Sequence, residues 1–141
     1  MNAGWPVPVL RGEENLYFDN ARQGRLVYQE CAACGARVFY PRALCPVCLS
    51  DDLELRGSRG RGEVYSFTIV NRPGHPAFAD RVPYAVVLVD IDEGFRVLAD
   101  LTGCDLADIR VGMQVTAVFE EVADGFTIPR FRPQPEGEQP A

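Results

Sequence analysis

The sequence contains no lysine: all 14 of its basic residues are arginine, set against 20 acids. Histidine and tryptophan occur once each. With one histidine, the usual general base is missing from most catalytic schemes. The net charge of −6 repels phosphate backbones over about a Debye length, so general nucleic-acid binding is disfavoured. Long apolar runs are lacking too. The longest aliphatic stretch, Ala85 to Val89, falls far short of the roughly 20 residues that a membrane-spanning helix needs. No basic start followed by an apolar segment marks a secretory leader, so a soluble cytoplasmic protein without a membrane role is expected.

What is present is an ordinary globular mixture, 47% hydrophobic and 24% charged over 141 residues. That length suits one domain or two small ones. The charge is uneven. Residues 56–81 hold five arginines against two acids, whereas residues 82–141 hold four against eleven. A basic patch therefore sits inside an acidic chain, and a local phosphate site stays compatible with the total.

Four of the five cysteines form two pairs, Cys31-Ala-Ala-Cys34 and Cys45-Pro-Val-Cys48, with ten residues between them. Each two-residue spacer lets a tight turn aim both sulfurs at one point, and two such turns complete a tetrahedral thiolate shell. Gly35 falls where the first turn favours positive φ, and Pro46 stiffens the second. Disulfides suit secreted proteins, and a redox CxxC would open a helix in a βαβ unit that is missing here. Zinc is expected in preference to iron. Four protein thiolates leave no open position, so the ion is structural and staples a segment of fewer than 40 residues that could not otherwise bury enough surface. Cys104 stands alone and reads as a small buried hydrophobe.

A short helix is expected over Glu13–Gln23, after an irregular arm that contains Pro6, Pro8 and Gly12. Arg25–Glu30 reads as a strand entering the first cysteine turn, and Val38–Tyr40 as its return. The glycine-rich stretch Arg56-Gly-Ser-Arg-Gly-Arg-Gly62 reads as a domain boundary. Beyond it the hydrophobic period becomes two. Strands are expected at Glu63–Val70, Tyr84–Ile91, Phe95–Leu101, Val115–Val122 and Phe126–Phe131. The expected fold is mainly β, with a ribbon followed by a five-stranded OB-type barrel. The corresponding boundaries are 1–24 for arm and helix, 25–55 for the ribbon, 56–133 for the barrel and 134–141 for a disordered tail.

From Phe18 to Pro133, about four fifths of its length, the chain resembles the acyl-CoA-associated proteins that join a rubredoxin-like zinc ribbon to an OB-fold. The matching residues include Gly24-Arg25-Leu26, the four paired cysteines, Gly60-Arg-Gly62, Tyr65-Ser-Phe67-Thr68, Pro83-Tyr84, Asp92-Glu93-Gly94, Gly112-Met113 and the closing Pro129-Arg-Phe131-Arg-Pro133. The cysteines alone occur in many ribbons; their order with Gly60-Arg-Gly62 and the terminal Phe-Arg-Pro makes the match specific. The resemblance implies a non-catalytic accessory subunit that works beside a thiolase-like enzyme subunit and binds acyl-CoA or CoA.

In that light the arginines at 56, 59 and 61, joined by Arg72 and Arg81, become candidate contacts for coenzyme phosphates. Guanidinium forks match phosphate oxygens in bidentate geometry, and the intervening glycines would admit a close approach. The competing reading is a flexible linker. His75, in a proline-flanked loop, and the neighbours Asp90 and Asp92 read better as surface residues than as catalytic groups. Tyr65, Phe67, Tyr84 and Phe95 read as core or partner-facing aromatics. The rival function is a single-stranded nucleic-acid binder, which the missing lysine and the acidic last third oppose. A free-standing thioesterase lacks the groups it would need.

Overall fold

A computed structural model describes residues 4–135. Residues 136–141, most of the tail expected at 134–141, lie outside the described residues. Helix α1 spans Glu14–Ala21, shorter than the expected Glu13–Gln23. It stops because the amides of Gln23 and Gly24 turn to three-residue bonds, on Asn20 and Ala21. It buries Tyr17 and Ala21.

Three antiparallel strands form the ribbon: β1 (Leu26–Cys31), β2 (Arg37–Val38) and β3 (Leu53–Ser58), in the order β2-β1-β3. The return strand expected at Val38–Tyr40 ends at Val38. Past that point the rings of Phe39 and Tyr40 leave the sheet and pack against Phe95 and Tyr17. The glycine-rich stretch is not a flexible linker. β3 pairs with β1 from Leu53↔Cys31 to Ser58↔Leu26, which places Arg56 in the ladder opposite Tyr28. The ladder supplies partners for the free edge of β1, and only Arg59 and Gly60 separate it from the next strand.

That strand is β4 (Arg61–Val70). With β5 (Tyr84–Ile91), β6 (Phe95–Leu101), β7 (Gln114–Ala123) and β8 (Phe126–Pro133) it closes a barrel in the order β4-β5-β6-β8-β7. A parallel pair between Leu101 and Phe131 completes the closure. This is the expected five-stranded OB barrel. Its interior is packed with small branched residues, Val64, Val87, Val89, Val97 and Val115, around Phe131. Ribbon and barrel share that core, because Tyr17, Leu26 and Tyr28 belong to the same buried cluster and Tyr28 stacks on Phe95 at 4.7 Å. A second, smaller cluster of Cys31, Val38 and Cys45 lies under the cysteine turns. Among the described residues, no helix is long and apolar enough to cross a membrane.

Candidate metal centre and an aromatic pocket

The sulfurs of Cys31, Cys34, Cys45 and Cys48 lie within 4.8 Å of one another. Cys31 and Cys48 are 3.6 Å apart, Cys34 and Cys45 3.7 Å. A regular tetrahedron with metal–sulfur bonds of about 2.3 Å has edges of about 3.8 Å, so a zinc ion fits the set. A disulfide, at about 2.05 Å, does not. The two turns are built alike. The amide of Gly35 donates to the Cys31 carbonyl at 2.8 Å, and that of Leu49 to the Cys45 carbonyl at 2.9 Å. Both residues, each four places past the first cysteine of its pair, have positive φ: +78° for Gly35 and +67° for Leu49. Backbone N–H groups of Cys48 and Val47 hold the Cys45 thiol below the ordinary cysteine range, while burial and neighbouring thiols push Cys34 and Cys48 up.

One side chain that anchors this centre was not singled out from the sequence. Gln29, 4% exposed on β1, accepts the Arg42 amide at 2.7 Å and donates to the Arg42 carbonyl at 3.1 Å. It thereby ties the ribbon sheet to the segment that enters the second cysteine turn. With all four thiolates from the protein, the zinc is structural.

The five candidate arginines do not form one patch. Arg61 opens β4 and Arg72 follows its end, and the ten-residue strand between them covers roughly 30 Å of extended backbone. Arg56 pairs with Glu54 at 2.6 Å and more loosely with Glu30 at 3.9 Å. The Arg59 amide donates to Glu93 at 3.0 Å. Gly62 serves strand packing. A Cβ on Gly62 would lie 2.2 Å from the Asp90 carbonyl oxygen, so this glycine lets β4 cross β5.

Arg81 belongs elsewhere. It lines a cavity of about 290 Å³ beside the barrel, where its guanidinium lies 5.1 Å from the centroid of the Trp5 ring. Phe78 from the β4–β5 connection and Tyr84 at the start of β5 flank it, and Tyr17 closes the side toward α1. Burial pushes the Tyr17 and Tyr40 phenols up, so both stay neutral donors. The floor carries Asp100, which accepts from Arg130 Nε at 2.8 Å and lies 3.4 Å from Arg81.

The remaining candidates have structural roles. His75 caps a helical turn, its Nδ1 accepting the Ala77 amide at 3.0 Å. Asp90 pairs with Arg96 at 2.6 Å, and the Arg96 guanidinium covers Tyr65. Partial burial, then Asp108 and Asp105, push the Cys104 thiol up, away from the reactive thiolate. Phe95 is core; Tyr65 is half exposed.

Comparison with known proteins matches residues 18–54 to a family described as ChsH2, rubredoxin-like zinc ribbon domain, and residues 56–120 to ChsH2, C-terminal OB-fold domain. A probable enoyl-CoA hydratase alpha subunit of Thermomonospora curvata is 38% identical over 91% of the chain. The match spans 40% of that relative's length. A DUF35 domain-containing scaffold protein of Methanothermobacter thermautotrophicus is 36% identical over 70% of the chain and 74% of its own length. The solved Ltp2-ChsH2(DUF35) aldolase contains a chain 38% identical to this one, with a TM-score of 0.81 over 90% of this chain and 98% of that one.

Proposed function

This chain belongs to the family that joins a ChsH2-type rubredoxin-like zinc ribbon to an OB-fold barrel, and from that premise we propose that it is a non-catalytic accessory subunit that scaffolds a thiolase-fold enzyme and binds its acyl-CoA. One observation carries the reading. The zinc shell is filled by four protein thiolates, so the metal activates nothing, and neither His75 nor Cys104 has the partner that nucleophilic catalysis needs. Reactivity then has to come from another polypeptide. The names of the scaffold relative and of the aldolase support that division of labour.

Arg59 and Arg61, with Arg56 at the end of the ribbon ladder, are the groups proposed to meet coenzyme phosphates. Arg72 and Arg81 fall outside that set because β4 separates them from it. Calorimetric titration of CoA tests the assignment: Arg59→Ala/Arg61→Ala is expected to weaken binding by about tenfold, and unchanged affinity removes the phosphate contact. Thioester turnover by the purified chain alone would overturn the accessory role. Oligonucleotide binding that falls steeply with salt would favour a nucleic-acid function instead.

A further inference from the structure

The two cysteine turns share one backbone plan but carry different side chains, and zinc explains only the plan. We infer that the second turn, through Leu44, Val47 and Leu49, docks the chain on its enzyme, in an apolar pocket bordered by lysine or arginine. The inference deepens the proposed function, and rests on it for the identity of the partner, a thiolase-fold subunit.

The first turn shows what the metal requires. Besides its two cysteines it holds only Ala32, Ala33 and Gly35, all small and exposed. The second turn repeats the amide-to-carbonyl bond and the positive φ, yet sets Pro46, Val47 and Leu49 at the matching places. The centre uses Val47 and Leu49 through their amides alone, 3.4 Å from the Cys45 sulfur and 2.9 Å from the Cys45 carbonyl. Their side chains are too far into water to shield the sulfurs. Val47 is 72% exposed, Leu49 73%, and Leu44, just before the turn, 50%. Among the described residues, Leu49 is also the only non-glycine with positive φ. Its Cβ crowds the backbone there, a cost that Gly35 does not bear at the same place in the first turn. A leucine kept in a glycine's position and left in water points to a contact outside the chain.

Charge then selects the occupant. No basic residue lies between Ala43 and Leu55, and Asp51 and Asp52 follow the turn, both exposed. Glu54, the next acid, is already taken by Arg56 at 2.6 Å. A second copy meeting this face across a two-fold axis would bring the same carboxylates together. An anionic lipid surface would repel them. A different protein that offers an apolar pocket with a basic border meets neither conflict, and its border would steer the encounter. The turn is also pre-organised, since the metal fixes its backbone before any partner arrives and little ordering is left to lose on docking.

The decisive variant copies the first turn onto the second: Val47→Ala/Leu49→Gly. It keeps both amides, so zinc content should not change, and the melting temperature should hold or rise because glycine is at ease where leucine is not. The probe is the thiolase-fold subunit that co-purifies with the tagged full chain, identified by mass spectrometry, dissociated and titrated back by calorimetry. Affinity is expected to fall about tenfold or more in the double variant. Asp51→Asn/Asp52→Asn should weaken association less and flatten its dependence on salt. Leu44→Ala, outside the hydrogen-bonded turn, should also weaken it, so a folding fault in the double variant would not shield the inference. Parental affinity in Val47→Ala/Leu49→Gly and in Leu44→Ala overturns the inference while the scaffold reading stands, because the complex still forms. Failure of any thiolase-fold subunit to co-purify overturns the scaffold reading and the inference with it. A dimer of the unaltered chain that the double variant abolishes, seen by light scattering, would assign the turn to a second copy. Binding to phosphatidylglycerol vesicles that the double variant abolishes would assign it to a lipid surface. Either result overturns the inference.

Discussion

Ser58, the last residue of the ribbon's third strand, donates its hydroxyl to the carboxylate of Glu93 at 2.7 Å. The same carboxylate accepts the Arg59 amide at 3.0 Å, so one side chain from the β5–β6 turn holds both the end of the ribbon and the step into the barrel. Glu93→Ala leaves two donors to find water at a partly buried junction. The expected cost is about 1–2 kcal/mol, read as a shift in the denaturant midpoint. Unfolding should remain a single transition, because Tyr28 and Phe95 stay stacked across the same junction. Separate ribbon and barrel transitions in the variant would contradict the continuous core.

Zinc removal should reach further than the ribbon. The metal holds four sulfurs whose small cluster includes Val38, and the ribbon in turn lends Leu26 and Tyr28 to the barrel core. A chelator is therefore expected to lower the melting temperature of the whole chain. Elemental analysis should find one zinc per chain in the native protein and in Cys104→Ser, and little in Cys45→Ser. Protons compete with the ion for thiolates, so zinc retention should fall as the pH is lowered, measurable with a chromogenic chelator.

Some of this was legible in residue order and some was not. β5 and β6 can be read to the residue, because Tyr84–Ile91 is a near-continuous apolar run and the Asp92-Glu93-Gly94 turn separates it from Phe95–Leu101. The cysteine spacing specified the metal site for an equally local reason. β3 escaped because it lies on an exposed sheet edge, where the alternation of Leu53 and Leu55 with Glu54 and Arg56 stops after four residues at Gly57. Gln29 escaped because its partner is the backbone of Arg42, thirteen residues away. The aromatic pocket escaped for a stronger version of that reason: Trp5, Tyr17, Phe78 and Leu98 meet only once the barrel has closed.

Arg130 couples that pocket to the barrel wall. It is 9% exposed, grips Asp100 through Nε at 2.8 Å and also reaches Glu120. Arg130→Met leaves a largely buried carboxylate short of its main partner, and the expected loss of stability is about 3 kcal/mol. Arg130→Met/Asp100→Leu should recover part of it, since an apolar pair leaves no charge stranded. A stability equal to the parent's, measured by denaturant titration, would show that solvent reaches Asp100 without difficulty.

Gly62 and Gly57 separate a structural role from a ligand-binding one within the same glycine-rich stretch. A Cβ at Gly62 would meet three backbone atoms of Asp90 and Ile91, none farther than 3.0 Å, and no side chain can move aside to relieve it. Gly62→Ala must push β4 off β5, and a loss above about 3 kcal/mol is expected, in the range of severe core damage. At Gly57 a Cβ would meet nothing within 4 Å, and its φ lies outside the left-handed region. Gly57→Ala should leave stability unchanged or raise it by about 0.5 kcal/mol, since alanine has fewer unfolded conformations to lose. CoA affinity gives the second readout. If coenzyme phosphates needed bare backbone at this stretch, Gly57→Ala would weaken binding although the fold is intact. Unchanged affinity in Gly57→Ala, beside a loss in Arg59→Ala/Arg61→Ala, would assign recognition to the guanidinium groups and leave the glycines to strand packing.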